Sequence, residues 1–194
     1  MVRQRRLAPD HGPLPGSGSR LGAHRLDDCP RSPARCWSAK GRADARPGAT
    51  PEEAAAREGL GRSRGGLTTK VHAATDALGN PLRLLLTPGQ RNDITQADAL
   101  IAGYAADAVI ADRGYDAGWL VTQIAEAGAA PVIPPKKNRT EQRDYDAELY
   151  KERNAVERFF GRLKLNRRVA TRYEKKGRNY LSFVFWASAL VLLL

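Results

Sequence analysis

From Leu67 onward the chain alternates short apolar runs with segments of helical period, and that alternation restricts it to a layered α/β fold. Leu67–Asp76 (LTTKVHAATD) is rich in Thr and Val and reads as a strand. Leu78–Pro81 (LGNP) is turn chemistry, and Leu82–Thr87 (LRLLLT) returns as a second strand that stops at Pro88 and Gly89. Asp93 with Gln96 makes a capping pair for a helix whose apolar face is Ile94, Ala97, Leu100, Ile101 and Tyr104. Asp107–Ala111 (DAVIA) suits a buried strand, and Asp112 ends it. A helix carrying Trp119, Leu120, Ile124 and Ala127 closes at Gly128, and Pro131–Pro134 (PVIP) is another short strand. The basic loop Pro135–Arg143 leads to a helix over Tyr150–Lys164, and a last helix runs from about Asn179 to the C-terminus. The order β-β-α-β-α-β-α-α predicts a mixed sheet flanked by helices.

The first quarter of the chain reads differently. Residues 1–48 are rich in Arg, Pro and Gly without helical or strand period, so they are expected to be disordered, with a basic DNA-binding arm as the functional alternative. Pro51–Gly59 looks like a short helix with Thr50 as N-cap, Pro51 at N1 and Glu53 at N3. Gly61–Gly66 (GRSRGG) is a flexible basic loop. Its amides with Arg62 and Arg64 can contact phosphate, and it reads equally as a plain linker. The expected division is a segment 1–58 and a folded domain 59–194.

A formal net charge of +11 points to a polyanionic partner, nucleic acid first. Cys29 and Cys36 are the only cysteines and form no CxxC pair, so a reduced, cytoplasmic setting is the expectation. Met1–Arg20 lacks the apolar core of a signal peptide. Phe183–Leu194 is strongly apolar but too short to span a bilayer, which favours a buried terminal helix and no membrane partner.

Candidate chemistry centres on Tyr150–Lys164 (YKERNAVERFFGRLK). At helical pitch Tyr150, Arg153, Glu157 and Lys164 fall on or near one stripe, beside an apolar stripe of Val156, Phe159, Phe160 and Leu163. Alone, the window reads more readily as a solvated amphipathic helix with i,i+4 ion pairs. The second carboxylate is Asp112, placed where open α/β sheets carry their sites and followed by Arg113, Gly114 and Tyr115. Paired carboxylates beside cations suit Mg²⁺, or two such ions about 4 Å apart clamping a displacement at phosphorus. As a loop cap, or an ion pair with Arg113, Asp112 would need no metal. Zinc is disfavoured because His11, His24 and His72 lack ligand spacing, and there is no P-loop.

These residues resemble the DDE transposases of bacterial insertion sequences. The spacing Y-x2-R-x3-E-x6-K is matched by Tyr150, Arg153, Glu157 and Lys164. The segments GRSRGGLTTKVHAATDALGNP, TPGQRND, IADRGYD and NAVERFFGRLKLNRRVATRYEK are similar to that family's blocks, in its order. The resemblance implies an RNase-H-like fold with Asp112 as the second metal-binding acid and Glu157 as the third. It implies Mg²⁺ or Mn²⁺ as cofactor and double-stranded DNA, both element ends and target, as partner of a homo-oligomer. Arg153 and Lys164 would contact phosphates near the cleaved end with Tyr150 beside them, and Arg158, Arg62 and Arg64 join the DNA-contacting set. Water would cleave the element's end, and the freed 3′-hydroxyl would attack target DNA without a covalent protein intermediate.

The sequence departs from this pattern where the family carries its first acid, on a strand before GRSRGG. No such strand is legible in residues 1–48, and Asp27, Asp28 and Asp44 are candidates by position only. Asp76 lies beside the hairpin turn and is expected to point the wrong way. Shifted forward by one nucleotide, codons His24–Ser32 can spell Ile-Asp-Ser-Thr-Thr-Val-Arg-Ala-His, which is similar to the family's first-acid strand. Codons 35–37 can then spell Ala-Ala-Gly. Residues 1 to roughly 45 are therefore expected to be read out of frame, with the first acid in an overlapping upstream frame. The polypeptide is then a transposase incomplete by itself; the alternative is a non-catalytic DNA-binding regulator or an inactive remnant.

Overall fold

The computed structural model describes residues 2–4, 19–25, 51–63, 66–140 and 142–193. In chain order the elements are β1 (Val2–Gln4), β2 (Ser19–Arg25), α1 (Pro51–Arg57), β3 (Gly61–Ser63), β4 (Gly66–Thr75) and β5 (Pro81–Pro88). A 3₁₀ turn (Asp93–Gln96) leads into α2 (Ala97–Ile101), then come β6 (Ala108–Ala111), a second 3₁₀ turn (Arg113–Tyr115), α3 (Gly118–Glu126) and β7 (Ala130–Val132). The chain continues through α4 (Ala147–Tyr150), a third 3₁₀ turn (Lys151–Arg153), α5 (Asn154–Lys164), α6 (Arg167–Ala170) and α7 (Gly177–Leu193). Two units are formed: Met1–His24, Ala73–Leu84 and Asn92–Phe159 make the first, and Arg25–His72, Leu85–Arg91 and Phe160–Leu194 the second.

The first unit is built around β6. Its sequence AVIA is buried at every position, as suits a strand covered on both faces. It runs parallel to β7, pairing Ala108 with Ala130 and Ile110 with Val132, and parallel to β2, pairing Leu21 with Val109 and Ala23 with Ala111. β1 is antiparallel to both β2 and β6, so the sheet is mixed. Parallel neighbours need a crossover, and α3 supplies it with Leu120 and Ile124 buried and Gly128 in the left-handed region (φ 78°) just past its end. Ala108, Ile110 and Val132 form a core with Ala155 of α5, and Tyr145, Leu149 and Tyr150 pack against it. At the hairpin tip Asp76 accepts from the backbone N–H of Leu78 (2.9 Å) and Asn80 (2.8 Å) and from the Asn80 amide (2.9 Å). Gly79 there has φ 89°, and a Cβ on it would stand 3.2 Å from the carbonyl oxygen of Ala155.

In the second unit β3 pairs antiparallel with β4, Arg62 opposite Leu67. The buried Arg172 is its main polar tie. Its guanidinium donates to the carbonyls of Glu58 (2.7 Å), Glu174 (2.9 Å) and Lys175 (3.1 Å) and to the Thr69 hydroxyl (2.7 Å). His72 and Thr87 share a buried side-chain hydrogen bond of 2.7 Å.

Several expectations are corrected here. The N-terminal segment was read as lacking any strand, yet β1 and β2 lie in it; pairing with β6, a tertiary interaction, forms β2 where local period gives no signal. The expected disorder of the remaining residues between 1 and 50 lies outside the described residues. Gly61–Ser63 is a paired strand rather than a loop. Asp93 is a buried first-turn residue rather than the N-cap, which is Asn92. Tyr150–Lys164 is three elements, because a 3₁₀ turn interrupts it. α7 is buried through Tyr180, Val184, Ala187, Ser188 and Val191 but leaves Phe185, Trp186, Leu192 and Leu193 exposed, so it is half-buried. Of the apolar residues read on α3, Leu120 and Ile124 are buried while Trp119 is exposed.

Candidate active site

Asp112 emerges directly from β6 and opens the 3₁₀ turn that follows. Its Oδ1 accepts the backbone N–H of Gly114 at 2.8 Å, which fixes the carboxylate at the strand's end. Gly114 is needed for closeness rather than for an unusual backbone angle. A Cβ there would lie 2.9 Å from Asp112 Oδ1 and 3.6 Å from Asp93 Oδ2, so a second carboxylate, on a buried residue, borders the turn. Tyr115, the last residue of the turn, is fully buried.

A cleft of about 280 Å³ opens over this turn, lined by Asp112, Arg113, Gly114, Pro134, Tyr145, Tyr150 and Arg153. Tyr150 meets Tyr145 edge-to-face, with centroids 5.6 Å apart, and the Arg153 guanidinium sits 5.5 Å from the Tyr150 ring centre. Burial pushes the Tyr150 phenol above the ordinary tyrosine range; Arg153 opposes this and Asp112 adds to it. Arg153 Nη2 also donates to Glu157 Oε1 at 2.6 Å. Glu157 is 45% exposed and Arg153 22%.

Of the sequence candidates, Asp112, Tyr150 and Arg153 therefore share one cleft, and Glu157 is joined to it through Arg153. Arg158 is exposed on the next position of α5. Lys164 is exposed at the C-terminal end of α5 and Arg62 on β3, both within the second unit, while Arg64 lies outside the described residues. Asp27, Asp28 and Asp44 also lie outside them. Asp76 is engaged in its own turn. Among the described residues no three His, Cys, Asp or Glu side chains gather as a metal site. Tyr145, Arg113 and Pro134 were not among the sequence candidates. Tyr145 carries no signal of its own in the sequence, since facing aromatics need tertiary packing to be recognised.

The family described as "Transposase DDE domain" matches residues 41–192. The chain belongs to the DDE transposase family. A relative from Brucella ovis, named as the candidate transposase for insertion sequence element IS6501, is 42% identical over 127 residues, covering 64% of this chain and 98% of that protein. Another from Burkholderia cepacia, named likewise for element IS402, is 34% identical over 135 residues, covering 63% of this chain and 62% of that protein. No solved structure matches. No helix among the described residues is long and apolar enough to cross a membrane.

Proposed function

We propose that this DDE transposase chain carries the second and third acids of a two-metal DNA-cleaving and DNA-joining site, Asp112 and Glu157, within an RNase-H-like fold. The observation that carries the reading is the cleft itself: Asp112, pinned by Gly114 at the end of a buried parallel strand, shares it with Arg153, which holds Glu157. Both acids offer hard oxygen donors, a donor set that fits Mg²⁺ or Mn²⁺, and Asp112 and Glu157 are the residues that would hold it. When bound, the ions supply Lewis-acid stabilisation of charge at phosphorus. Arg153 and Lys164 bind phosphates of the element's end, with Arg158, Arg62 and Arg64 extending the contact along double-stranded DNA. Tyr150, neutral at physiological pH, offers a ring face and a hydroxyl beside them. Water adds to phosphorus at the element's end and the 3′-oxygen leaves as a hydroxyl. That hydroxyl attacks phosphorus in target DNA, where the target's own 3′-oxygen leaves. The active species is a homo-oligomer on DNA, in the cytoplasm.

The first acid is the open place in this site. β2 runs parallel to β6 with Ala23 opposite Ala111, so its C-terminal end shares the sheet edge that carries Asp112. By chain order the candidates for the first acid are Asp27, Asp28 or Asp44 in the present frame, or the aspartate that codons 25–26 can encode one nucleotide forward. We favour the shifted frame, joined by frameshifting or lost by mutation, because Ser-Thr-Thr-Val follows there in place of Cys-Pro-Arg-Ser. Nucleotides at codons 25–26 that give neither GAC nor GAT in that frame would reject it.

The test is transposition in cells of a marker flanked by the element's ends, driven by the native locus. Asp112→Asn or Glu157→Gln should each lower the frequency at least about 10³-fold. Unchanged frequency in either variant would remove that residue from the site.

A further inference from the structure

Four residues beyond Asp112, the carboxylate of Asp116 is enclosed, with 0% of its side chain exposed. One loop takes up both its oxygens. Oδ2 accepts the backbone N–H of Lys136 (2.8 Å) and Nε–H of Arg139 (2.9 Å), and Oδ1 accepts from Nη2 of Arg143. The loop also closes on itself: the Arg139 N–H donates to the Lys136 carbonyl (3.1 Å), and the Gln142 amide donates to the carbonyls of Lys136 (3.3 Å) and Arg139 (3.1 Å). Arg139 and Arg143 are thereby turned inward, while Lys136, Lys137 and Asn138 stand exposed at the tip.

Position gives this arrangement its meaning. Pro134, two residues before Lys136, lines the same cleft as Asp112, and Asp116 directly follows the turn that Asp112 opens. A loop that only needed covering could stay mobile at little cost. Here a buried carboxylate and two arginines fix the backbone of a segment whose outward side chains are lysines. Lysines act as point charges for phosphate, and a segment ordered beforehand does not lose that freedom on binding.

We propose that Lys136 and Lys137 contact the phosphate backbone of duplex DNA next to the cleft, and that Asp116 is the positioning residue that holds their loop in place. The proposal rests on the DNA-processing reading above and adds contacts that the Tyr150–Lys164 window does not contain.

The test is fluorescence anisotropy of the full chain on a labelled 30-bp duplex of arbitrary sequence across a salt series, without divalent metal. Each phosphate contact contributes about 0.9 to the slope of log K against log salt. Lys136→Ala/Lys137→Ala should lower that slope by about 2 while leaving the thermal unfolding curve in place. Asp116→Asn should lower it too, and trypsin should cut faster after Lys136 and Lys137. A wild-type slope in the double lysine variant would overturn the proposal and leave the reading of Asp112 and Glu157 standing. No salt-dependent binding by the unmodified chain would overturn both. Should Asp116→Asn fail to fold, the double lysine variant decides; a folded Asp116→Asn whose loop is cut faster at an unchanged slope would overturn the role given to Asp116.

Discussion

Arg153 reaches Glu157 one helical turn ahead, Nη2 to Oε1 at 2.6 Å, while the same guanidinium rests 5.5 Å from the centre of the Tyr150 ring. One side chain thus joins the aromatic wall of the cleft to the carboxylate on α5. Because Glu157 is nearly half exposed, the ion pair itself should contribute less than about 1 kcal/mol to folding. Arg153→Ala should therefore shift the unfolding midpoint in urea only slightly. The same variant should lower transposition at least about 10-fold, since the proposed phosphate contact is removed and Glu157 loses its ion pair with Arg153. A large stability loss with normal transposition would assign Arg153 to the scaffold instead.

Gly114→Ala addresses the other acid. The new methyl carbon would fall 2.9 Å from Asp112 Oδ1, closer than such contacts allow, so the carboxylate must swing off its hydrogen bond to the turn. The expected result is a transposition frequency lowered by about 10-fold or more, with the fold retained by circular dichroism. An unchanged frequency would mean that the Asp112 rotamer is not constrained by the turn.

The hairpin, β6 and α3 were legible in the sequence because their signals are local: Thr and Val in β4, a pure apolar run in β6, Gly128 closing α3. Asp112 was legible for the same reason, standing at the end of such a run. β2 was not, since SRLGAHR has no clean alternation and exists as a strand by pairing with β6. The 3₁₀ turn at Lys151–Arg153 is a difference of one hydrogen-bond register that composition does not encode. Exposure of Trp119 and Trp186 was equally hidden, because an apolar residue does not say which of its faces will be covered. Asp116 carried no signal in the sequence; only its contacts with a loop about twenty residues later give it a task.

Asp116 also predicts a pH dependence. Burial alone would raise its pKa, but the Lys136 N–H, Arg143 and Arg139 together hold it below the ordinary carboxylate range. A depressed folded-state value stabilises the fold fully above the unfolded pKa, and that contribution is lost as pH falls through the folded value. Asp116→Asn should cost about 2–3 kcal/mol at pH 6–7, and the gap to wild type should close at pH below about 4. Denaturant titrations of both proteins across that range check it; a gap that widens on acidification would contradict the sign.

Tyr150 titrates at the opposite end. Its folded-state pKa is raised, so its contribution is fully present below the ordinary tyrosine value and is lost as pH rises through the folded one. Ultraviolet titration of Tyr150→Phe should lack one phenol that ionises above the ordinary range. Loss of a phenol titrating within that range would place the Tyr150 ring in solvent.

The central claim, that Asp112 and Glu157 hold a divalent metal between them, is open to a measurement that does not depend on catalysis. Fe²⁺ with ascorbate and peroxide cuts a polypeptide beside a bound metal. Cuts near Asp112–Gly114 and near Glu157, suppressed by Mg²⁺ and absent from Asp112→Asn, are the predicted result. Cuts elsewhere only, or cuts at these positions that persist in Asp112→Asn, would contradict it.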